Sequence, residues 1–435
     1  MSVLAAPGLS STRARRARPG SVGASRAVAV AGAGLFAVAI LALSMAVGKR
    51  RRLRRLQRGL GRICVASIHG AGGTFIKFAQ VLATRADLFD AEFLTPFAAV
   101  QDRVPAVGYD ALTAALPPAI AVDLASQFAE VSAQPFAGGS VAQVFLARSR
   151  AEDNRLAVKI VDPGKRRQTI ADVMMMRRMV RLVQRCSPLR RIPLADAFHA
   201  MSRQVVLQFD MRREARFHRL CHDVLSGRDD VRCPRLSLTG RKYWLAMDYV
   251  TGVHRLDAET DAERRSHCLL TATRILFEMI FRRGVVHGDF HPGNILIDDA
   301  GRLVILDFGL AFGLTTSERR NLARFFMAIA TNNADLAADV IVESARHVPA
   351  DLDAASFRRA VAAFLDAVAG RSAGDFALAG FTRELFLIQS RHGIVSTIEF
   401  ALPMLALLTL EGSLKRWYPA LDFQREAMPY VIQAL

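Results

Sequence analysis

Two short acidic motifs in the C-terminal half constrain this chain more than any other feature. Asp289 and Asn294 lie five residues apart in His287–Asn294, and Asp307 follows the apolar run Leu303–Leu306. Carboxylate and amide oxygens are ligands that Mg²⁺ prefers, and Mg²⁺ commonly bridges proteins to phosphates. The spacing predicts that Asn294 and Asp307 bind a metal while Asp289 orients an accepting group. Incidental acids on a surface turn are the alternative, and the apolar strands around the motifs argue against it.

A loop of small residues and a strand lysine precede these motifs. Between Pro135 and Val144, small residues stand among apolar ones, which fits a tight hairpin whose backbone can approach phosphates. Lys159 lies in the alternating strand Leu156–Val161 and would point inward to contact those phosphates. Glu214 is the predicted partner of this lysine, and its distance along the chain implies inserted helices. A surface pair between Glu214 and a neighbouring arginine is the alternative.

A buried type of strand after these helices completes the predicted nucleotide site. The segment Tyr243–Val250 runs into Thr251 and Gly252, which suits a hinge between two lobes whose backbone binds an adenine edge. The predicted catalytic residues are therefore Asp289, Lys159 and Glu214. The predicted nucleotide contacts are Ala137, Gly138, Gly139, Ser140, Val141, Lys159, Met247 and Tyr249.

Helical patterns fill most of the remaining chain. We expect helices over residues 50–106, over Tyr109–Val131 and over two or three segments within 165–225. The apolar stretch Ile394–Leu410 contains a glutamate and a proline, which favours a buried helix over a membrane span.

Positive charge is concentrated at the N-terminus. The formal charge is +18, and residues 1–86 hold 15 Lys or Arg but no Asp or Glu, so 18 minus 15 leaves +3 on the remaining chain. A basic head beside an apolar run is better explained by anionic lipid than by nucleic acid. The sequence also lacks zinc-finger spacing and aromatic RNA-binding strands, so nucleic acid is not an expected partner.

The N-terminal apolar run predicts a membrane anchor. Ala27–Val47 contains 21 residues without a charge, which is long enough to cross a bilayer core of about 30 Å. The cluster Lys49–Arg55 behind it resists translocation. We therefore expect a retained single-pass helix with the folded domain on the cytoplasmic side. A cleaved signal peptide and a mitochondrial transit peptide are the alternatives.

In this order the motifs resemble the UbiB/AarF family of atypical, protein-kinase-like proteins. The resemblance covers roughly residues 55–415, and few other kinase-like families carry the same order of motifs. Its marks are Lys77–Gln80, Thr84–Phe89, Gln101–Pro105, Ser140–Val144, Ala157–Lys159, Arg213–Ala215 and His287–Asn294.

The resemblance implies an α+β, bilobal protein-kinase-like fold with a helical extension folded over the active site. It also implies ATP and Mg²⁺ as cofactors. The expected segments are a disordered basic tail (1–24), a transmembrane helix (25–48), the helical extension (49–108), an N-lobe with inserted helices (109–252) and a mainly helical C-lobe (253–435).

The resemblance also carries a functional expectation, because family members are linked to isoprenoid quinone biosynthesis at membranes. It implies a membrane-anchored kinase or ATPase that supports ubiquinone-type or related prenyl-lipid synthesis. The expected partners are membrane lipids, anionic ones included, and a prenylated quinone precursor or quinone-biosynthesis proteins. A small-molecule phosphotransferase of the aminoglycoside or choline kinase sort is one alternative. A non-catalytic, nucleotide-gated lipid-binding scaffold is the other.

Three features depart from the family pattern. In the family's K-x-G-Q segment, which lies over the nucleotide cleft and blocks protein substrates, Lys77 and Gln80 are kept but Ala79 replaces glycine. In the E-x-D pair that partners this lysine, Gln208 replaces the glutamate and Asp210 is kept. The lost bond is worth on the order of 1.5–3 kcal/mol when buried. The phosphate loop is also richer in glycine. Together these three departures argue against the autoinhibition that the K-x-G-Q segment provides in the family.

Overall fold

The computed structural model describes residues 59, 62, 106–139, 141–184, 194–288, 290, 295–368, 378–418 and 421–435. The predicted basic tail, the membrane helix and nearly all of the helical extension lie outside these residues. The same is true of Lys77, Gln80, Ser140, Asp289 and Asn294. Among the helices within the described ranges, none combines the length and the apolar character needed to cross a bilayer.

The first half of the described chain contains both helices and strands. In order, it forms α1 (Tyr109–Ala114), α2 (Pro118–Gln127), β1 (Phe128–Val131), β2 (Ala137–Gly138), β3 (Ala142–Ser149), β4 (Arg155–Val161), α3 (Pro163–Gln184), α4 (Leu194–Leu207), α5 (Met211–Leu225), β5 (Val231–Arg232), β6 (Leu236–Gly240), β7 (Trp244–Asp248) and β8 (Val253–Arg255).

Six of these strands form the sheet of the N-terminal lobe. Its order is β1–β3–β4–β7–β6, and β2 pairs with the start of β3. The outer face, with Phe145 and Val158, packs on α1 and α2. The inner face, with Ala157 and Val161, packs on the start of α5. Because neighbouring residues on a strand face opposite sides, Lys159 projects from the inner face.

The predicted single helix over residues 109–131 is wrong at two points. The chain forms two helices separated at Pro117 and Pro118, and residues 128–131 form strand β1. Proline lacks the N–H that would continue α1, but it is well suited to begin α2. Phe128 is buried edge-on against Trp244, with ring centroids 5.7 Å apart. Packing on the sheet thus overrides the helical pattern at this end.

Two helices, α3 and α4, are inserted between β4 and α5, as the distance between Lys159 and Glu214 implied. They pack on each other through four apolar side chains, those of Val173, Met176, Phe198 and Val205. Asp210 is the N-cap of α5, and its Oδ1 accepts from the backbone N–H of Arg212 at 3.1 Å. A capped start fixes the first turn of α5, which carries Glu214.

The C-terminal lobe is mainly helical and has one large apolar core. Helix α6 continues into a π-helical turn, Glu278–Arg282. The elements are α6 (Ala262–Phe277), β9 (Val285–Val286), β10 (Ile295–Asp298), β11 (Leu303–Ile305), β12 (Phe312–Gly313), α7 (Thr316–Ala330), α8 (Ala334–Glu343), β13 (Ala345–His347), α9 (Ala354–Val368), α10 (Leu378–Arg391), β14 (Val395–Ser396), α11 (Ile398–Trp417) and α12 (Phe423–Ala434).

A second sheet, ordered β5–β11–β10–β8, carries the acidic motif of this lobe. In the β10–β11 hairpin Ile295 pairs with Ile305, so Asp307 follows two residues beyond the open end of the hairpin. The predicted buried helix over 394–410 is confirmed from Ile398, where α11 begins, and Met404 and Leu407 of α11 lie in the core. Before it the prediction is wrong, because Val395 and Ser396 form strand β14 and pair with β13.

Candidate functional site

Lys159, Glu214 and Asp307 meet between the two lobes. The ammonium of Lys159 donates to Glu214 Oε1 at 2.7 Å and to Asp307 Oδ1 at 2.9 Å. The side chains are 13%, 2% and 46% exposed, respectively. The structure thus brings together three residues that the sequence predicts for one site, with Glu214 buried and Asp307 accessible to solvent.

Each of these side chains is held by a different element. Lys159 lies on β4 in the centre of the sheet. It pairs with Val144 of β3 on one side and with Leu245 of β7 on the other. Glu214 lies in the first turn of α5, where a carboxylate is favoured by the helix dipole. Asp307 follows strand β11. Two regular elements and one strand end therefore fix the geometry.

The three charges determine one another's ionisation. Burial would lower the pKa of Lys159, but the carboxylates of Asp307 and Glu214 outweigh this effect and raise that pKa above its ordinary value. Burial raises the pKa of Glu214, and the ammonium of Lys159 offsets that rise only in part. Lys159 is therefore a permanent cation at neutral pH. With both carboxyl groups ionised, the cluster has one excess negative charge.

Asp307 is the described residue that best fits a divalent cation. Its carboxylate is a hard oxygen donor, is half exposed, and belongs to a cluster with excess negative charge. Its Oδ1 also accepts from the N–H of Gly309 at 3.1 Å. Within the described ranges, no group of three or more His, Cys, Asp or Glu side chains could hold a metal. The predicted second ligand, Asn294, lies outside those ranges.

Two glycines allow the chain to pass close to this cluster. Gly288 has a φ of +75°, and a Cβ there would lie 2.5 Å from the carbonyl oxygen of Leu310. A Cβ at Gly309 would lie 3.1 Å from Asp307 Oδ1 and 3.3 Å from Glu214 Oε2. Asp307 itself has a φ of +59°, which is uncommon for a residue other than glycine. The backbone around Asp307 is therefore tightly constrained.

A column of buried rings connects α5 to the segment around Phe308. The ring centroids are 5.0 Å apart for His218 and Phe308, 5.1 Å for Phe308 and His287, and 5.2 Å for His287 and Phe290. His218 is not among the residues that the sequence predicts for the site. Its position four residues after Glu214, on the same face of the helix, is the signal that could have identified it.

Acidification should destabilise the protein through His218. Its ring is fully buried, and its Nε2 donates to the carbonyl of Pro234 at 2.6 Å. Burial lowers the pKa of His218 below 6.5, so the unfolded chain binds a proton at a higher pH than the folded chain does. This group should therefore lower the free energy of unfolding as the pH falls below about 6.5, by up to about 1.4 kcal/mol per pH unit.

Urea unfolding at several pH values measures this effect. His218→Gln keeps an N–H donor for Pro234 and should flatten the slope below pH 6.5. His199→Gln changes an exposed histidine on α4 and should leave the slope unchanged. Equal slopes for the wild type and His218→Gln would contradict the assignment.

The predicted phosphate loop corresponds to the β2–β3 hairpin. Ala137 and Gly138 form β2, and the N–H of Gly139 donates to the carbonyl of Ala142 at 3.0 Å. A Cβ at Gly138 would meet the end of the Gln143 side chain, so a larger residue there would require that side chain to move. Val141 packs on the inner face of the sheet. The hairpin thus lies at the edge of the lobe that carries Lys159.

The two predicted hinge residues lie beside the same inner face. Met247 is buried on β7, and Tyr249 packs against the apolar side chains of that face. The backbone N–H of Tyr249 donates to the carbonyl of Arg155 at 3.1 Å, so it is engaged within the lobe. The ring of Tyr249 stands edge-on to Phe136, with centroids 5.6 Å apart. This contact links the hinge to the start of the phosphate loop.

The predicted regulatory residues are only partly described. Gln208 is buried, and its Nε2 has no hydrogen-bond partner among the described residues. Asp210 caps α5 and forms an ion pair with Arg212 at 2.6 Å, and the hydrogen bond from Arg212 lowers the pKa of Asp210. Lys77 and Gln80 lie outside the described residues. The structure therefore shows Asp210 as the cap of α5, and its regulatory role stays a prediction.

Comparisons with known proteins give consistent matches. The ABC1 atypical kinase-like domain matches residues 99–341. "Probable protein kinase UbiB" of Vibrio atlanticus (strain LGP32) is 25% identical over 381 residues, which cover 86% of this chain and 70% of that protein. "Probable protein kinase UbiB" of Aeromonas salmonicida (strain A449) is 26% identical over 372 residues, which cover 83% and 67%.

A solved structure is also similar. It is the complex of Rv3197 with erythromycin from Mycobacterium tuberculosis, with a TM-score of 0.46 and 20% sequence identity. The match covers 84% of this chain and 92% of that one.

Proposed function

This chain belongs to the ABC1 atypical kinase-like family, which includes the UbiB proteins, and from that premise we propose that it is a membrane-anchored, kinase-like ATPase. It would bind Mg-ATP and support the biosynthesis of an isoprenoid quinone or a related prenyl-lipid. The observation that carries the proposal is the contact of Lys159 with both Glu214 and Asp307. It joins a cation from one lobe to a half-exposed carboxylate from the other.

The residues of the cluster have distinct roles in this proposal. Lys159 binds the nucleotide's phosphates, since it is a permanent cation that lies between the two lobes. Glu214 holds Lys159 in place from the buried side. Asp307 and Asn294 would hold Mg²⁺, which neutralises phosphate charge when bound. Asp289 orients the group that accepts the phosphoryl, either water or a lipid hydroxyl.

The membrane part of the proposal rests on the sequence. The uncharged run Ala27–Val47 and the basic cluster Lys49–Arg55 fit a single-pass anchor with the kinase-like domain on the cytoplasmic side. A prenylated phenol is a membrane-resident acceptor or effector. An anchored domain would meet such a molecule at the bilayer surface.

ATP turnover by the full chain in phosphatidylcholine vesicles tests the proposal. A prenylated phenol in the vesicles should stimulate Mg²⁺-dependent turnover, and Asp289→Asn should abolish it. Phosphorylation of a soluble polar acceptor, without stimulation by the phenol, would favour a small-molecule phosphotransferase instead. Turnover equal to that of Asp289→Asn, despite tight nucleotide binding, would favour a non-catalytic scaffold.

A further inference from the structure

We propose that one face of the inserted helix α3 docks on an anionic lipid bilayer. The exposed residues of this face recur every three or four positions along the helix. They are Arg167, Ala171, Met174, Arg178 and Arg181, with Arg177 beside them, and are here called the arginine face. The face is about 21 Å long, since a helix rises about 1.5 Å per residue.

The arginine face points away from the rest of the lobe. Val173 and Met176 of α3 pack on α4. At about 100° per residue, these two positions lie on a different side of the helix from Arg167, Met174 and Arg178. The packing of α3 therefore leaves the arginine face open to solvent.

The charge of α3 is unusual for this chain. The helix has six Lys or Arg and one Asp, a net charge of +5, whereas residues 87–435 as a whole carry +3. The rest of that region is thus net negative, at −2. The lone Asp172 is only partly exposed and lies off the arginine face. No arginine of the face forms an ion pair with a carboxylate in the described part of the chain. The arginine face therefore has a concentrated positive charge, which attracts a partner with negative charge.

The composition of the face favours a bilayer over nucleic acid. Met174 is 54% exposed in the middle of the arginines. An apolar side chain between long basic ones is typical of helices that lie in a membrane interface, where the apolar group enters the acyl boundary and the charges stay at the headgroups. A phosphate backbone alone would match the charge but not the methionine. The sequence also provides an apolar run, Ala27–Val47, that would keep the domain near a bilayer.

An environment-sensitive dye at position 174 tests the contact directly. The full chain with Met174→Cys, and with Cys64→Ser and Cys186→Ser, is labelled and added to vesicles. The three described cysteines, Cys221, Cys233 and Cys268, are buried. With phosphatidylglycerol in phosphatidylcholine vesicles, the dye emission should shift to shorter wavelength and become sensitive to lipid-borne quenchers. With phosphatidylcholine alone, the shift should be absent, and high salt should reverse it. The readout does not involve nucleotide turnover.

Charge reversal provides the matched control. Arg177→Glu, Arg178→Glu and Arg181→Glu together should raise the anionic lipid needed for a half-maximal shift by about tenfold or more. The same change at three exposed arginines of the C-lobe, Arg320, Arg359 and Arg425, should leave it unchanged. A dye at Ile432→Cys, exposed on α12, should not respond. Equal shifts in both vesicle types, insensitivity to the reversal on α3, or a larger shift with soluble polyglutamate or DNA would overturn the proposal.

Discussion

Substituting methionine for Lys159 should abolish nucleotide binding and destabilise the fold by about 3–5 kcal/mol, the usual cost of removing one partner from a buried ion pair. Glu214, whose side chain is 2% exposed, would keep its negative charge in an apolar setting or would have to bind a proton. The second carboxylate, Asp307, would then repel it without an intervening cation. Chemical denaturation measures the loss of stability, and thermal shift with Mg-ATP measures the loss of binding.

A second substitution separates the two effects. In the double variant Lys159→Met/Glu214→Met, no buried charge is left unpaired, and apolar side chains of similar volume fill the space. More than half of the lost stability should return, whereas nucleotide binding should not. If the single variant is as stable as the wild type, the pair is not buried as described. If the double variant recovers nucleotide binding, Lys159 is not the phosphate-binding cation.

Replacing Asp307 with asparagine should remove the metal-dependent part of nucleotide binding while leaving the fold nearly unchanged. Asparagine keeps an oxygen that can accept from the N–H of Gly309, and it tolerates the positive φ of this position. It removes the negative charge that Mg²⁺ requires. For the wild type, ligand at about 100 times its Kd adds about 2.7 kcal/mol of stability. In Asp307→Asn, the increment that depends on Mg²⁺ should vanish.

The matched control is Asp223→Asn, which removes one carboxylate from an exposed position on α5. This variant should retain the full stabilisation by Mg-ATP. A normal Mg²⁺-dependent increment in Asp307→Asn would show that the metal binds elsewhere. Thermal shift with ATP, with and without a chelator, distinguishes these outcomes.

The sequence predicts the strands and helices that carry the site because these depend on short, local patterns, and it predicts the central contact because the order of the motifs matches a kinase-like site. The alternating strand around Lys159, the apolar strand before Asp307 and the helical pattern around Glu214 each have a clear period. The distance of 55 residues between Lys159 and Glu214 also predicts the inserted helices, which are α3 and α4. In each case the predicted strand or helix depends on residues that are close together in the sequence.

The features that the sequence missed depend on tertiary contacts. Residues 128–131 have a helical pattern, but the burial of Phe128 against Trp244 places them in the sheet. The ring column through His218 and Phe308 joins residues 90 positions apart, and a lone histidine in a helix gives no sign of such a partner. The sequence does not predict that Asp210 caps α5. An aspartate suits both a helix cap and the predicted regulatory contact, so its residue type does not distinguish the two roles.

The contact between Lys159 and Asp307 joins residues 148 positions apart, and strands from both lobes must be in place before it can form. Long-range contacts of this kind are made late, because their loop-closure entropy is offset only once local structure exists. A nascent chain that has not yet been synthesised past residue 307 therefore cannot assemble the cluster. Under the proposed function, affinity for nucleotide should therefore appear only in chains that have been synthesised beyond residue 307 and have formed this contact.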